Sequence, residues 1–216
     1  MKKNKSNEEG YLKRYTQLHY LLEILIKKRI TLLNPSSWED KNDLQLLEQY
    51  QKEKKFKSVF ALCFTEKSAT YHHWKVFAGG SDGVCIEFNK TKLLKYFKKN
   101  HGFTYDKVRY YFVRDSLDSE KTQFAKLKPF EDDHEFRIVY GSKNKKESCK
   151  YIKIDLDCIN RVTLSPWMPS TCASVLKQLL KSIKDCHNLK ICESTLTHNS
   201  IWSKAASKSK TRNRTG

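Results

Sequence analysis

Leu18, Leu21, Leu22, Leu25 and Ile26 fall three and four positions apart. That is the spacing of one helix face, and Thr16 is a residue type that caps such a helix. Ahead of it, residues 11–15 form a short aromatic and basic strand. Residues 30–33 are an apolar run closed by Asn34-Pro35-Ser36-Ser37, which reads as strand then turn. Residues 43–56 predict a charged helix, 59–65 a buried strand, and 71–77 a short helix with Trp74 and Phe77 on neighbouring faces. Gly79, Gly80 and Gly83 mark a tight turn before the strand 84–88, and glycine there permits close backbone approach to a ligand. Residues 90–100 predict a basic helix and 103–113 a Tyr-rich strand, with a helix or loop following through Lys128. Strands are expected at 135–140, 151–156 and 161–164, an amphipathic helix at 174–184, and a last strand at 189–196. A β-α-β opening followed by strands with interspersed helices is an α+β fold. The expected organisation is a flexible N-terminus over 1–10, one domain over 11–203, and a basic disordered tail over 204–216.

Composition adds a partner. The chain has 216 residues and 12% aromatics, too many for a disordered polymer. Lys and Arg number 42 against 24 acids, a formal charge of +18, and only 8 of the 42 are Arg. Such a field gathers polyanions, and lysine contacts phosphate more than it reads bases. Nucleic acid is the expected partner, followed by an anionic membrane or an acidic protein. Residues 18–26 are interrupted by His19 and Glu23 and are too short to span a membrane. With no apolar leader at the start and seven cysteines in no regular framework, the expected setting is a reducing cytoplasm.

Four segments carry candidate chemistry. Lys13 and Arg14 sit between Tyr11 and Tyr15 at the end of a first strand, where a cation can hold a pyrophosphate. Ser36 and Ser37 lie in a loop with Trp38 and several acids, a setting that suits either a site or a helix cap. Tyr71, His72, His73, Trp74 and Lys75 adjoin the glycine turn, where a planar ring could stack on an aromatic. Asp133, Glu135 and Arg137 share one face of a strand, as an ion pair or as a carboxylate fixed at a site. Cys186, His187, Cys192 and His198 are metal-ligand types, but their spacing fits no zinc pattern, so no metal is expected.

Taken in order, these blocks resemble a widespread bacterial family catalogued only as a domain of unknown function. The blocks are Tyr11-x-Lys13-x-Tyr15, Pro35-Ser36-Ser37-Trp38-x-Asp40, Phe64-Thr65, Trp74-x-x-Phe77, Gly83-Val84-Cys85-x-x-Phe88 and Asp133-x-Glu135-Phe136-Arg137. The match runs from about Tyr11 to Ile138, with a looser tail to about Ile201. The block order is similar in turn to ADP-ribosyltransferases, which implies a split β-sheet core with surrounding helices and NAD as co-substrate. On that likeness Glu135 is the late catalytic Glu and Asp133 the acid before it. Lys13, Arg14 and Tyr15 occupy the first-strand position, and Ser36 or Ser37 falls near the second. Tyr71 or Trp74 would stack the nicotinamide. The chain departs from the family in lacking the usual His-Tyr-Glu set and in carrying Asp as the first of the acid pair. The resemblance implies ADP-ribosylation of nucleic acid by a toxin or phage-defence effector, held in check by a neutralising protein. Two other classes stand beside it: a non-catalytic nucleic-acid-binding module, and a metal-independent ribonuclease using His72 or His73 with Lys75.

Overall fold

The computed structural model describes residues 10–144 and 147–205, with the side chain of Ser37 outside that set. Strand β1 (Tyr11–Gln17) leads into helix α1 (Leu18–Lys27) and strand β2 (Arg29–Leu33). Helix α2 (Lys41–Glu53), strand β3 (Ser58–Thr65), helix α3 (Tyr71–Phe77), strand β4 (Gly83–Asn89) and helix α4 (Lys90–Lys98) follow. Next come β5 (Phe103–Lys107), β6 (Arg109–Tyr111), β7 (Ala125–Leu127), β8 (Glu135–Ser142), β9 (Cys149–Lys153) and β10 (Ile159–Leu164). Helix α5 (Ser170–Ser182) and β11 (Ile191–Glu193) close the order. The fold is α+β, with helices around a central sheet.

Nine strands form that sheet in the order β11-β10-β4-β1-β3-β2-β9, with β8 on the other edge of β3 and β5 beyond it. Strand β3 pairs along its whole length with β8. Its opposite edge is shared. It meets β1 through Lys13↔Thr65 and β2 through Leu33↔Ala61. The sheet is therefore split where β1 and β2 diverge from β3.

One face is apolar. Leu12, Leu62, Phe64, Ile86, Phe88 and Ile138 pack there against α1, α4 and α5, as period-two alternation requires. The other face carries two smaller clusters. Leu47 and Tyr50 of α2 pack on Val59 and Val139, and Trp74 and Ala78 of the α3 end pack on Tyr15 and Cys85. A polar strip lies between these clusters.

Several boundaries differ from the sequence expectation, each for a local reason. Strand β1 runs through Thr16, so Gln17 takes the cap position of α1 and makes no side-chain cap bond. Helix α2 starts earlier because Asp40 accepts from the Asn42 and Asp43 amides. The Tyr-rich stretch breaks at Val108, whose amide donates to the Glu135 carbonyl (2.9 Å), and β6 then pairs with β7 in a separate two-stranded ribbon. Residues 200–205 are helical, with Asn199 accepting from the Ile201 and Trp202 amides, and the rest of the expected tail falls on undescribed residues. Residues 1–9 and 206–216 lie outside the described residues.

The glycine turn serves packing at the end of α3. Gly79 is left-handed, with φ at 75°. At Gly83 a Cβ would stand 2.6 Å from the Ala78 carbonyl oxygen and 2.7 Å from its Cβ. The close approach is thus to the end of α3. Gly83→Ala is expected to cost about 1–3 kcal/mol through overpacking. A thermal melt reads this as a midpoint several degrees lower, and an unchanged midpoint contradicts that packing.

Candidate active site

Pairing across the split builds a charged row. Arg161 stands opposite Glu87, Glu87 opposite Lys13, Lys13 opposite Thr65, and Thr65 opposite Glu135. Strand spacing sets Lys13 and Glu135 about 10 Å apart at Cα. Two residues along, Thr163, Cys85 and Tyr15 continue the face on one side, and Cys63 and Arg137 on the other. Both rows project toward α2 and α3.

Arg137 is the centre of the right-hand half. It is 0% exposed. Its Nε donates to Glu135 Oε1 (2.6 Å) and its Nη2 to Glu135 Oε2 (3.0 Å). Its two terminal nitrogens also grip Asp43 of α2, at 2.8 and 2.7 Å. The Trp38 ring lies 5.1 Å from the guanidinium carbon. Lys126, on β7, donates to Asp133 Oδ2 (2.8 Å) and reaches Glu135 Oε2 (3.4 Å) and Asp43 (3.8 Å). Three carboxylates thus meet two cations. The Glu135 amide donates to the Tyr110 hydroxyl (2.8 Å), which ties the ribbon to the start of β8.

Burial alone would raise the Glu135 pKa, but the Arg137 charge and hydrogen bonds, aided by Lys126, outweigh it and hold the carboxyl at about 2. Burial pushes the neighbouring Cys63 thiol well up, and the Glu135 charge adds to that. Burial opposes the Lys126 charge, yet Glu135 and Asp133 reverse the balance and keep the ammonium protonated. The sequence reading of Glu135 as an ion pair with Arg137 is realised, with the acid 7% exposed and tied.

The left-hand half holds a cavity of about 130 Å³ lined by Lys13, Tyr15, Trp74, Cys85, Glu87 and Arg161. The Tyr15 hydroxyl and Trp74 Nε1 are buried there without a hydrogen-bond partner. Burial, with the Cys85 thiol beside it, drives the Tyr15 pKa far up. Lys13 Nζ donates to the Lys67 carbonyl (3.0 Å) and lies 3.9 Å from Glu87, which accepts from Arg161 (3.0 Å) and Asn160 (2.6 Å). A cavity of this volume admits a ring and not a dinucleotide. The hollow beside it, about 540 Å³ and lined by Ala69, Leu196 and Trp202 among others, shares Ala69 with it and has the size of a ligand pocket.

Helix α3 joins the halves. The Tyr15 and His73 rings stack at 5.2 Å, and His73 Nε2 pairs with the Asp133 carbonyl at 3.1 Å. Lys13, Tyr15 and Trp74 therefore converge as a group, with Asp133 and Glu135 on the far side of His73. Trp74 is 1% exposed and meets Tyr15 edge-on at 5.1 Å, so it is core with only its indole edge at the cavity. Arg14 does not join them. It pairs with Ile86 on the opposite face, its Nε is buried without a partner, and burial lowers its pKa. Tyr71 is exposed at the rim, edge-on to Trp167 at 5.8 Å. Ser36 sits in a turn capped by Asn34, whose side chain accepts the Ser36 amide (2.9 Å), so the capping reading describes that loop. The side chain of Ser37 is outside the described residues. Cys186 is in the apolar core, while His187 and His198 are exposed.

Sequence reasoning missed Asp43, Lys126, Glu87 and Arg161. Asp43 was read as the start of a charged helix, and Lys126 as part of a helix or loop. Arg137 was visible only as the partner of Glu135. The two-residue spacing of Glu135 and Arg137 on a strand was the one signal leading here.

No family model and no curated protein matches the chain. Among solved structures, Thermus sp. 2.9 DarT in complex with NAD+ is similar, with 10% identity, a TM-score of 0.46, and coverage of 87% of this chain and 96% of that one. The same protein in complex with ADP-ribosylated ssDNA gives 11% identity and a TM-score of 0.46, covering 87% and 95%. Likenesses this loose assign no residue and no activity. Among the described residues no helix is long and apolar enough to cross a membrane.

Glu135 makes the site acid-sensitive. Its carboxyl titrates near 4.5 when unfolded and about 2 when folded. The resulting stability, about 3 kcal/mol, is fully present above pH 4.5 and is lost as pH falls toward 2. His73, whose pKa burial lowers, acts in the same sense below its ordinary value. Glu135→Gln should melt lower at pH 7 and lose less than the unaltered protein between pH 5 and 3. Equal acid limbs contradict the assignment. Arg137→Met strands two carboxylates and should cost about 3–5 kcal/mol.

Proposed function

We propose that the protein is an ADP-ribosyltransferase that uses NAD as co-substrate and modifies nucleic acid. The observation that carries this is the ionised Glu135 at the head of a late strand, standing beside a split in the sheet with Lys13 on the same face two strands away. This is the placement that the resemblance to ADP-ribosyltransferases implies for the two residues.

The chemistry suits the reaction. Breaking the bond between ribose C1′ and the nicotinamide nitrogen develops positive charge on the ribose. A carboxylate fixed beforehand in a dry site stabilises such charge without reorganising. Arg137 and Lys126 hold Glu135 in that state. Lys13 and Arg161, at the cavity wall, are the cations placed for a pyrophosphate, with Tyr15 and the Trp74 edge closing the cavity. A surface of +18 recruits the polyanionic acceptor. RNA is the expected acceptor and single-stranded DNA the competing one. Acting on its own cell's nucleic acid in the cytoplasm, such an enzyme is a toxin or defence effector restrained by a neutralising protein.

One observation favours a non-catalytic nucleic-acid binder. Both Glu135 oxygens are already taken, by Arg137 and Lys126. For a ribonuclease using His72 or His73, His73 is engaged at both ring nitrogens in a buried site, which leaves His72 as the candidate base of that reading.

Labelled NAD incubated with separate RNA, single-stranded DNA and protein pools decides between these. The expected result is nicotinamide release and label on nucleic acid, reduced about 100-fold or more in Glu135→Gln with the fold retained by circular dichroism. Absence of both nicotinamide release and labelling leaves the binder.

A further inference from the structure

The two adjacent histidines of α3 have opposite fates. His73 is buried, with Nδ1 on the Thr70 hydroxyl (2.6 Å) and Nε2 on the Asp133 carbonyl (3.1 Å). Burial lowers its pKa, and both nitrogens are used. It is a packing residue. His72 keeps 40% of its side chain exposed. Its Nε2 pairs with Asp133 Oδ1 at 2.8 Å. A carboxylate accepts, so Nε2 carries the hydrogen and Nδ1 presents its lone pair. Among the described residues, no hydrogen bond to Nδ1 is formed.

Asp133 is itself fixed. Its other oxygen accepts from Lys126 at 2.8 Å, and the same ammonium reaches Glu135 at 3.4 Å. An accessible imidazole, an orienting carboxylate, an ammonium and Glu135 are thus joined in one line. A buried carboxylate that fixes the imidazole tautomer and stabilises the imidazolium is the arrangement of a general base. His72 also meets the His73 and Phe77 rings edge-on, at 5.8 and 5.9 Å.

We propose that His72 is the general base that activates the acceptor, with Asp133 as its positioning residue. This rests on the ADP-ribosyltransferase reading and adds the group that reading lacked. An N–H or O–H of the nucleic acid attacks ribose C1′ while the C1′–nicotinamide bond breaks. The electron pair of that bond leaves with neutral nicotinamide. The acceptor's proton passes to His72 Nδ1 and then to solvent. The sum is NAD+ and acceptor giving ADP-ribosyl-acceptor, nicotinamide and one proton. Asp133, which the sequence resemblance made a catalytic acid, does not meet the acceptor in this scheme. It is 5% exposed and saturated.

The test measures two rates on each protein: nicotinamide release with water as acceptor, and label transfer to RNA or single-stranded DNA. In His72→Gln, which retains a donor toward Asp133, the ratio of transfer to hydrolysis should fall about 100-fold or more. In His72→Ala the same fall should occur, and added imidazole should restore transfer by about tenfold or more, while giving nothing to His72→Gln. A ratio within about threefold of the unaltered protein overturns the proposal. So does a fall that imidazole leaves unrepaired in His72→Ala, which makes His72 structural. If the unaltered protein releases no nicotinamide at all, the transferase reading fails first and takes this one with it. If it releases nicotinamide and His72→Ala transfers normally, only this inference fails.

Discussion

A guanidinium without access to water holds this fold's polar centre together. Arg137 is on β8, Asp43 on α2 and Lys126 on β7, so Arg137 and Lys126 together fasten a helix, a central strand and the ribbon through Asp43. Taking those charges out of water costs several kcal/mol per ion. Only the near-complete hydrogen bonding of the cluster offsets that. The Gln123 carbonyl adds an acceptor at 3.1 Å, leaving the guanidinium little unmet capacity. Replacing all the charged members at once by apolar groups of the same shape is often as stable, whereas removing one strands the others. What the charged cluster supplies is a carboxylate with a fixed position and a fixed charge.

The surroundings explain why the cluster is dry. The sheet face carrying it is covered at one end by α2 and at the other by α3, each with its own apolar cluster. Their gap leaves polar side chains at the middle of the sheet, where the strands part. Electrostatic interactions are stronger there than in water. The cavity stands over β1, β4 and β10, with Lys13, Glu87 and Arg161 on its sheet side and Trp74 of α3 above.

Much of this layout was legible in the chain. Apolar runs in β3, β4 and β8 reveal buried strands because both faces of a central strand are covered, and Leu18, Leu21, Leu22 and Leu25 reveal α1 by their period. Glu135 and Arg137 were legible because alternation places them on one face. Asp43 was not, because its 94-residue separation from Arg137 is bridged only by tertiary packing. The break at Val108 was hidden because β-type composition continues through it, although the strand leaves β8 after Val108 donates to the Glu135 carbonyl and β6 pairs with β7 instead. Lys13 and Arg14 could not be separated by composition. The register decided, sending Lys13 to the cavity face and Arg14 to the other.

Charge is segregated by depth, and that resolves an apparent conflict. A site rich in carboxylates would repel a polyanion if its charge reached the surface. Here Asp43, Asp133 and Glu135 are buried and are met by Arg137 and Lys126 within hydrogen-bond range. Little of their field survives outside, because exposed charges beyond about 10 Å are screened by salt. The exterior field is then set by the lysines, which draw a polyanion to the surface without a sequence preference. His72 lies at the boundary, its side chain 40% exposed and tied to the buried acids through Nε2. It is the point at which an acceptor gathered by the basic exterior meets the negative interior.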